Sequence, residues 1–237
     1  MTARNDLQLY EDHADRWWRP GDRFFRSLRS VGAFHLEVLL GDPDTRIADA
    51  RVAELGCGGG IASLALAARG ARVVGVDRSR SSLRAARREA ERRGTPCAFV
   101  LADLCNSPLP TERFDLVVMT DVLEHLEQPA RALREAARLL RPGGRVFLST
   151  FDRTRASELA VVVLAEGLGL VPRGTHDARL FVRPAELERY ARESGLRVER
   201  LLRERPALVR TVLTWTIHLR HSRRGPGFCA FLRKEHA

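Results

Sequence analysis

The segment TDVLEHLEQP, residues 120–129, gathers the densest chemistry in the chain. If a helical turn opens near Asp121, then Asp121, Glu124 and His125 stand at i, i+3 and i+4 and share one face. Two carboxylates and an imidazole so placed hold a hard divalent cation with coordination sites left open for oxygen donors of a ligand. Without a cation the same residues offer a different chemistry, in which His125 takes a proton as general base beside Glu124 or simply closes a pocket. Spacing leaves both readings open.

A second concentration lies upstream, in VAELGCGGGI, residues 52–61. An apolar run ending in Glu54 passes into Gly56, Gly58, Gly59 and Gly60 before a helical pattern begins, which is a nucleotide-binding turn stripped of side chains so that a ligand can touch the backbone. The G-x-G-x-G spacing beside an acid suits an amino-acid moiety more than a pyrophosphate. Asp77, about 20 residues after the first glycine, is placed to accept hydrogen bonds from both hydroxyls of a ribose, with Arg78 next to it. Asp103 and Leu104 follow the third apolar run, where an acid meets an adenine amino group, and Thr120 closes the fourth. Cys57, inside the turn, reads as a small space-filler, since no histidine adjoins it.

These residues need a scaffold that brings strand ends together. Short, almost wholly apolar runs at 52–55, 71–76, 98–101, 116–120 and 145–150 alternate with helical patterns at 61–69, 81–93 and 129–140, as in a βαβ series whose parallel strands are covered on both faces. RPGG at 141–144 stops the third of these helices. A helix at 184–195 precedes two late strand candidates, 196–204 and 209–219; in the second, Leu213, Trp215, Ile217 and Leu219 alternate with polar neighbours. The expected organisation is an N-terminal helical arm over 1–50 and a ligand-binding domain over 51–237 carrying an insertion at about 153–183 and a basic tail from Arg220, with RHSRR, 220–224, as a solvated end.

The 237 residues carry a net charge of +10, yet Lys234 is the only lysine and the arginines are spread along the whole chain. That spread points to GC-rich coding and not to a nucleic-acid face. Cys57, Cys97, Cys105 and Cys229 show no paired ligand spacing and read as buried thiols of a reducing cytoplasm. The N-terminus is polar where a secretory signal is apolar, and no apolar run is long enough to span a bilayer.

Together with LLRPGGRVFLST (139–150), the turn and its acids resemble the class I S-adenosylmethionine-dependent methyltransferases. ADRWW (14–18), ELGCGGGI (54–61), DVLEHLEQP (121–129), LSTFDR (148–153), VPRGTHDARLFVRPAEL (171–187) and SGLRV (194–198) resemble, more closely, the O-methyltransferase family of ubiquinone biosynthesis, from about residue 10 to 198. The resemblance implies an α/β, Rossmann-like fold with a mainly parallel seven-stranded sheet and helices on both faces. It implies S-adenosylmethionine on Glu54, Gly56, Gly58, Gly60, Asp77, Arg78, Asp103, Leu104 and Thr120, and O-methylation of a phenol or catechol, with His125 and Glu124 in the chemistry. It also associates the family's E-x-x-E-H motif with magnesium, here on Asp121, Glu124 and His125, Asp121 standing where the motif has its first glutamate. Two departures fall where the substrate is chosen: His35 aligns with an arginine of the family, and RERPALVR, 203–210, replaces an aromatic L-x-Y-N-P stretch.

His176 and Asp177 of GTHD invite a catalytic reading, against which stands a loop where the pair fixes a turn. LAVVVLAEGLGLV, 159–171, reads as a wall or lid of the acceptor pocket; beside Arg153, Arg155 and Arg173 it also suits peripheral contact with an anionic membrane, against a plain buried helix. The partner expected is a small aromatic acceptor, with no nucleic acid, for a cytoplasmic monomer or homodimer. The rival readings are a C- or N-methyltransferase of a specialised metabolite, which needs no catechol-binding metal, and a non-catalytic S-adenosylmethionine-binding subunit.

Overall fold

The computed structural model describes residues 8–235, and its centre is one eight-stranded sheet. The strands are β1 (Arg51–Leu55), β2 (Arg72–Asp77), β3 (Ala98–Leu101), β4 (Phe114–Thr120), β5 (Leu140–Phe151), β6 (Leu196–Pro206), β7 (Leu219–His221) and β8 (Gly227–Lys234). They run in the order β3-β2-β1-β4-β5-β8-β6-β7. The first five are mutually parallel, β8 lies antiparallel between β5 and β6, and β7 pairs antiparallel with β6. The helices are α1 (Gln8–Asp12), α2 (Arg23–Leu40), α3 (Ile61–Ala67), α4 (Arg80–Arg93), α5 (Pro129–Leu139), α6 (Arg155–Ser157), α7 (Pro184–Glu193) and α8 (Leu208–Thr214).

Alternation along the central strands explains why both faces are covered. In β4, Val117 and Met119 point into a core with Leu133 and Ala136 of α5 and Leu187 of α7, while Leu116 and Val118 join Val38 and Leu39 of α2 and Leu66 of α3 on the other face. Burying one such aliphatic side chain stabilises the fold by about 1.5–3 kcal/mol.

The C-terminal quarter departs from expectation. Residues 209–219 do not form a strand: 208–214 are helical as α8, Trp215 takes the left-handed conformation at φ +49°, and only 219–221 pair with the sheet. The alternation there reflects no core-facing side, since Leu213 is 80% exposed. The stretch from Arg220 is not a tail. RHSRR leads through β7 and a turn into β8, whose Phe228 to Leu232 are buried between β5 and β6, so the sheet has an eighth strand that the surrounding arginines concealed. RPGG does not separate helix from strand either, because β5 begins at Leu140 and carries those residues as an irregularity between its pairings to Phe114 and Leu116.

Candidate active site

A cavity of about 500 Å³ opens at the carboxyl ends of β1 and β4. The strand order reverses there, from β3-β2-β1 to β4-β5, which is where open α/β sheets bind their ligands. Its wall contains Glu54, Gly56, Gly58, Asp77, Arg78, Asp103, Leu104 and Thr120, all expected at the cofactor, together with Asp121 and His125. Gly60 and Glu124 lie outside it. A Cβ on Gly60 would meet Ala86 at 3.1 Å and Phe99 at 3.2 Å, so this glycine at φ +81° lets the start of α3 approach α4 and β3.

The acids are tied to the turn they serve. Asp77 accepts the backbone N–H of Gly58 through Oδ2 and that of Ser79 through Oδ1, both at 2.8 Å. Burial raises its carboxyl against those hydrogen bonds. Glu54 is buried and accepts the Ser63 hydroxyl, and burial pushes its carboxyl up to about 7. Asp103 accepts the Cys105 N–H at 2.8 Å. Cys57 is buried, and desolvation holds its thiol well above the ordinary range, which fits a space-filler and not a nucleophile.

The glycines are bare partly for the protein's own sake. The Trp17 indole lies across the turn, and a Cβ on Gly58 would sit 2.8 Å from its ring, with Gly59 closer still. Trp17 Nε1 donates to Ser82 Oγ and Trp18 Nε1 donates to the Gly59 carbonyl, each at 3.0 Å. Glu11 fastens the arm to the start of α4 by accepting both the Ser79 and Ser81 hydroxyls at 2.6 Å. Tyr10, Trp17, Leu28 and Gly32 thus supply one wall of the cavity. Motif reading did not assign them to the site; the paired tryptophans of ADRWW were the available signal.

At the end of β4 the spacing argument fails for a local reason. Asp121 has φ +55°, and a 3₁₀ turn over Leu123–His125 follows, so α-helical i, i+3, i+4 geometry never forms. The Asp121 carboxylate turns to Ser149, whose hydroxyl donates to Oδ1 at 3.0 Å, and to His35, whose Nδ1 stands 3.5 Å from Oδ2. Glu124 is fully buried; its Oε2 accepts Thr150 Oγ1 at 2.7 Å and its Oε1 has no hydrogen-bond partner. Burial, then the charge of Asp121, push its carboxyl up to about 8. His125 stacks on His176 with ring centroids 5.4 Å apart; burial, with His176 and Arg78 adding to it, lowers its imidazole to about 3.

The methyltransferase domain model matches residues 53–148. A ubiquinone biosynthesis O-methyltransferase of Thiobacillus denitrificans is 40% identical over 201 residues, covering 83% of this chain and 84% of that protein. One from Pseudomonas aeruginosa is 37% identical over 200 residues, with the same coverage. The chain belongs to the ubiquinone biosynthesis O-methyltransferase family. Solved structures agree on the fold: magnesium protoporphyrin IX methyltransferase of Synechocystis with bound SAH superposes with a TM-score of 0.68 at 21% identity, covering 96% of this chain and 97% of that one. This is an S-adenosylmethionine-dependent methyltransferase with a Rossmann-like sheet, and the cavity lies at the switch point of that sheet.

In this family member the expected metal triad is not assembled. Among the described residues the one group of three candidate ligands with donor atoms within 4.8 Å of one another is His35, Glu204 and Cys229, and Asp121, Glu124 and His125 do not converge. The GTHD loop takes two roles. Asp177 fixes the turn as expected, accepting the Arg179 N–H at 3.0 Å. His176 goes further: Glu166 accepts its N–H at 3.0 Å and holds its ring against His125.

The insertion neither lines this cavity nor forms a buried helix. Residues Glu158–Ala165 make a π-helix in which only Val161 is buried, and no residue of 153–183 lines the cavity. Leu159, Val163, Leu164 and Leu168 are exposed, as are Leu208, Val209, Val212 and Leu213 of α8. Among the described residues no helix is long and apolar enough to cross a membrane.

Proposed function

We propose that this methyltransferase transfers the methyl group of S-adenosylmethionine to a phenolic oxygen of a small aromatic acceptor, a quinone precursor or a natural product of similar chemistry. The observation that carries the reading is the continuity of one cavity from the ribose acid Asp77 past Thr120 to Asp121 and His125. A phenol near pKa 10 is mostly neutral at pH 7, so its oxygen needs a hydrogen-bond acceptor before it attacks. Asp121 offers a carboxylate at the cavity wall, and His125 offers an imidazole that stays neutral through physiological pH. Asp77 takes the ribose hydroxyls, Asp103 the adenine amino group, and Glu54 with the backbone at Gly56 and Gly58 the amino-acid end. When bound, S-adenosylmethionine supplies a methyl group on a sulfonium, open to in-line attack.

The chain's residues fit magnesium poorly. Asp121 turns to Ser149 and His35 and Glu124 to Thr150, so the two carboxylates and His125 do not converge on one ion, and the proposed reaction takes no step through one. Thoroughly demetallated protein should keep full activity on catechols and monophenols alike; loss on catechols alone, restored by magnesium, would sink that part of the proposal. The wider reading is tested by a methyl-transfer screen over catechols, hydroquinones and phenols with S-adenosylhomocysteine release as readout. Transfer to carbon or nitrogen would replace the O-methylation reading, and no release with any acceptor would favour a non-catalytic binding subunit. The exposed apolar π-helix beside Arg153, Arg155 and Arg173 supports peripheral contact with an anionic membrane.

A further inference from the structure

His35 and Glu204, which lie in the two stretches expected to depart from the family's pattern, meet inside the fold. His35 projects from α2 and is 1% exposed. Its Nε2 faces both carboxylate oxygens of Glu204 on β6, at 3.1 and 3.2 Å. Its Nδ1 faces Ser149 Oγ at 3.2 Å and Asp121 Oδ2 at 3.5 Å.

One arrangement of protons gives every group here a hydrogen-bond partner. Ser149 Oγ accepts the backbone N–H of Asp121 and spends its one proton on Asp121 Oδ1, each at 3.0 Å. With that proton on Asp121, Ser149 accepts from His35, an arrangement that puts a hydrogen on Nδ1. Nε2, against two carboxylate oxygens, carries the other. Cys229 completes the chain from β8, its thiol donating to Glu204 Oε2 at 3.2 Å. Asp121 meanwhile sits in the left-handed region, uncommon for a residue other than glycine, and its side chain keeps 29% exposure at the cavity wall.

We propose that His35 is a positioning residue: a buried imidazolium, bracketed by Glu204 and Asp121, that fixes the Asp121 carboxylate toward the acceptor. The pair His35 and Glu204 places one cation behind the cavity wall without leaving it unpaired in the interior. Asp121 then meets the acceptor hydroxyl with its remaining lone pairs, an assignment that rests on the O-methylation reading above.

The experiment has two arms. In the wild-type protein, ¹⁵N chemical shifts of the His35 ring at pH 7 should show both nitrogens protonated; a neutral tautomer would overturn the proposal whatever the acceptor. In the second arm, kcat and KM for a catechol are measured beside the Kd for S-adenosylmethionine. His35→Gln should lower kcat about 10- to 100-fold, in the range of a misplaced acid–base partner, while cofactor affinity stays within about threefold. His35→Arg, which keeps the charge, should recover most of the loss. Unchanged kcat in His35→Gln, or losses in kcat and cofactor affinity that match, would leave His35 a packing residue and overturn the proposal. A wild-type protein silent on every acceptor but with His35 doubly protonated would overturn the O-methylation reading, and with it the acceptor role of Asp121, while the network itself would stand.

Discussion

Asp77 and His125 show how far residue type alone predicts behaviour. Asp77 has the position expected of a ribose ligand, but its carboxylate also holds the glycine turn through the Gly58 N–H. Asp77→Asn should therefore weaken S-adenosylmethionine binding by about 1.5–3 kcal/mol, the range for a hydrogen bond involving a charged group, with the fold retained; equal affinity by calorimetry would remove Asp77 from the site. His125, judged by type, would titrate near 6.5 and give the rate an inflection there. Burial and its neighbours hold it near 3 instead. The profile of kcat/KM should show no inflection between pH 6 and 7 that belongs to His125. Such an inflection, abolished in His125→Gln, would return the residue to ordinary general-base duty.

Two elements, the arm and the insertion, sit at opposite ends of what sequence could say. The arm's role follows from Trp17 lying on the glycine turn, so Trp17→Ala should weaken cofactor binding while leaving the strands of the sheet intact. Unaltered affinity would mean the turn holds its shape unaided. The insertion contains apolar residues with no core to enter. Val163 is 54% exposed, so Val163→Asp should change stability by no more than about 0.5 kcal/mol. Its effect should appear as reduced sedimentation with anionic vesicles, and unchanged sedimentation would remove the membrane contact. The same contrast explains what was legible. β1 to β5 and the turn between β1 and α3 declare themselves because parallel strands are apolar throughout and a left-handed turn demands glycine. β8 was hidden: FCAFL, 228–232, is a short buried run, and the arginines preceding it belong to a turn. The alternation at 209–219 matched a strand period over too few residues to separate it from a short helix. No motif marked Glu204 as the partner of His35, because that contact joins residues 169 positions apart.

At the scale of the whole molecule, the buried ionisable groups under and beside the cavity make stability depend on pH. Burial alone would lower the His35 imidazole, but Glu204 and Asp121 outweigh it and raise it from 6.5 to about 9. Its stabilising contribution is therefore fully present below pH 6.5 and lost as pH climbs through 9. Glu124 and Glu54, raised by burial from 4.5 to about 8 and about 7, bind protons in the fold that they would release in the unfolded chain. They too cost stability as pH rises from 4.5 through those values. His125 runs the other way: lowered to about 3, it favours the fold above 6.5 and loses that contribution as pH falls toward 3. The arm fastening at Glu11, whose carboxyl the Ser79 and Ser81 hydroxyls pull down to about 2, is likewise lost only in acid. Above pH 6.5 His125 and Glu11 no longer change, and His35, Glu124 and Glu54 all act in one direction. A tenfold difference in proton affinity between the folded and unfolded chain corresponds to about 1.4 kcal/mol, so the melting temperature of the cofactor-free protein should fall steadily between pH 6.5 and 9. Glu124→Gln, which cannot ionise, should flatten that slope up to pH 8 and leave the remainder to His35 and Glu54. Differential scanning calorimetry across this range decides the matter: a melting temperature that is level or rises toward pH 9 would mean that these groups are not held protonated in the fold.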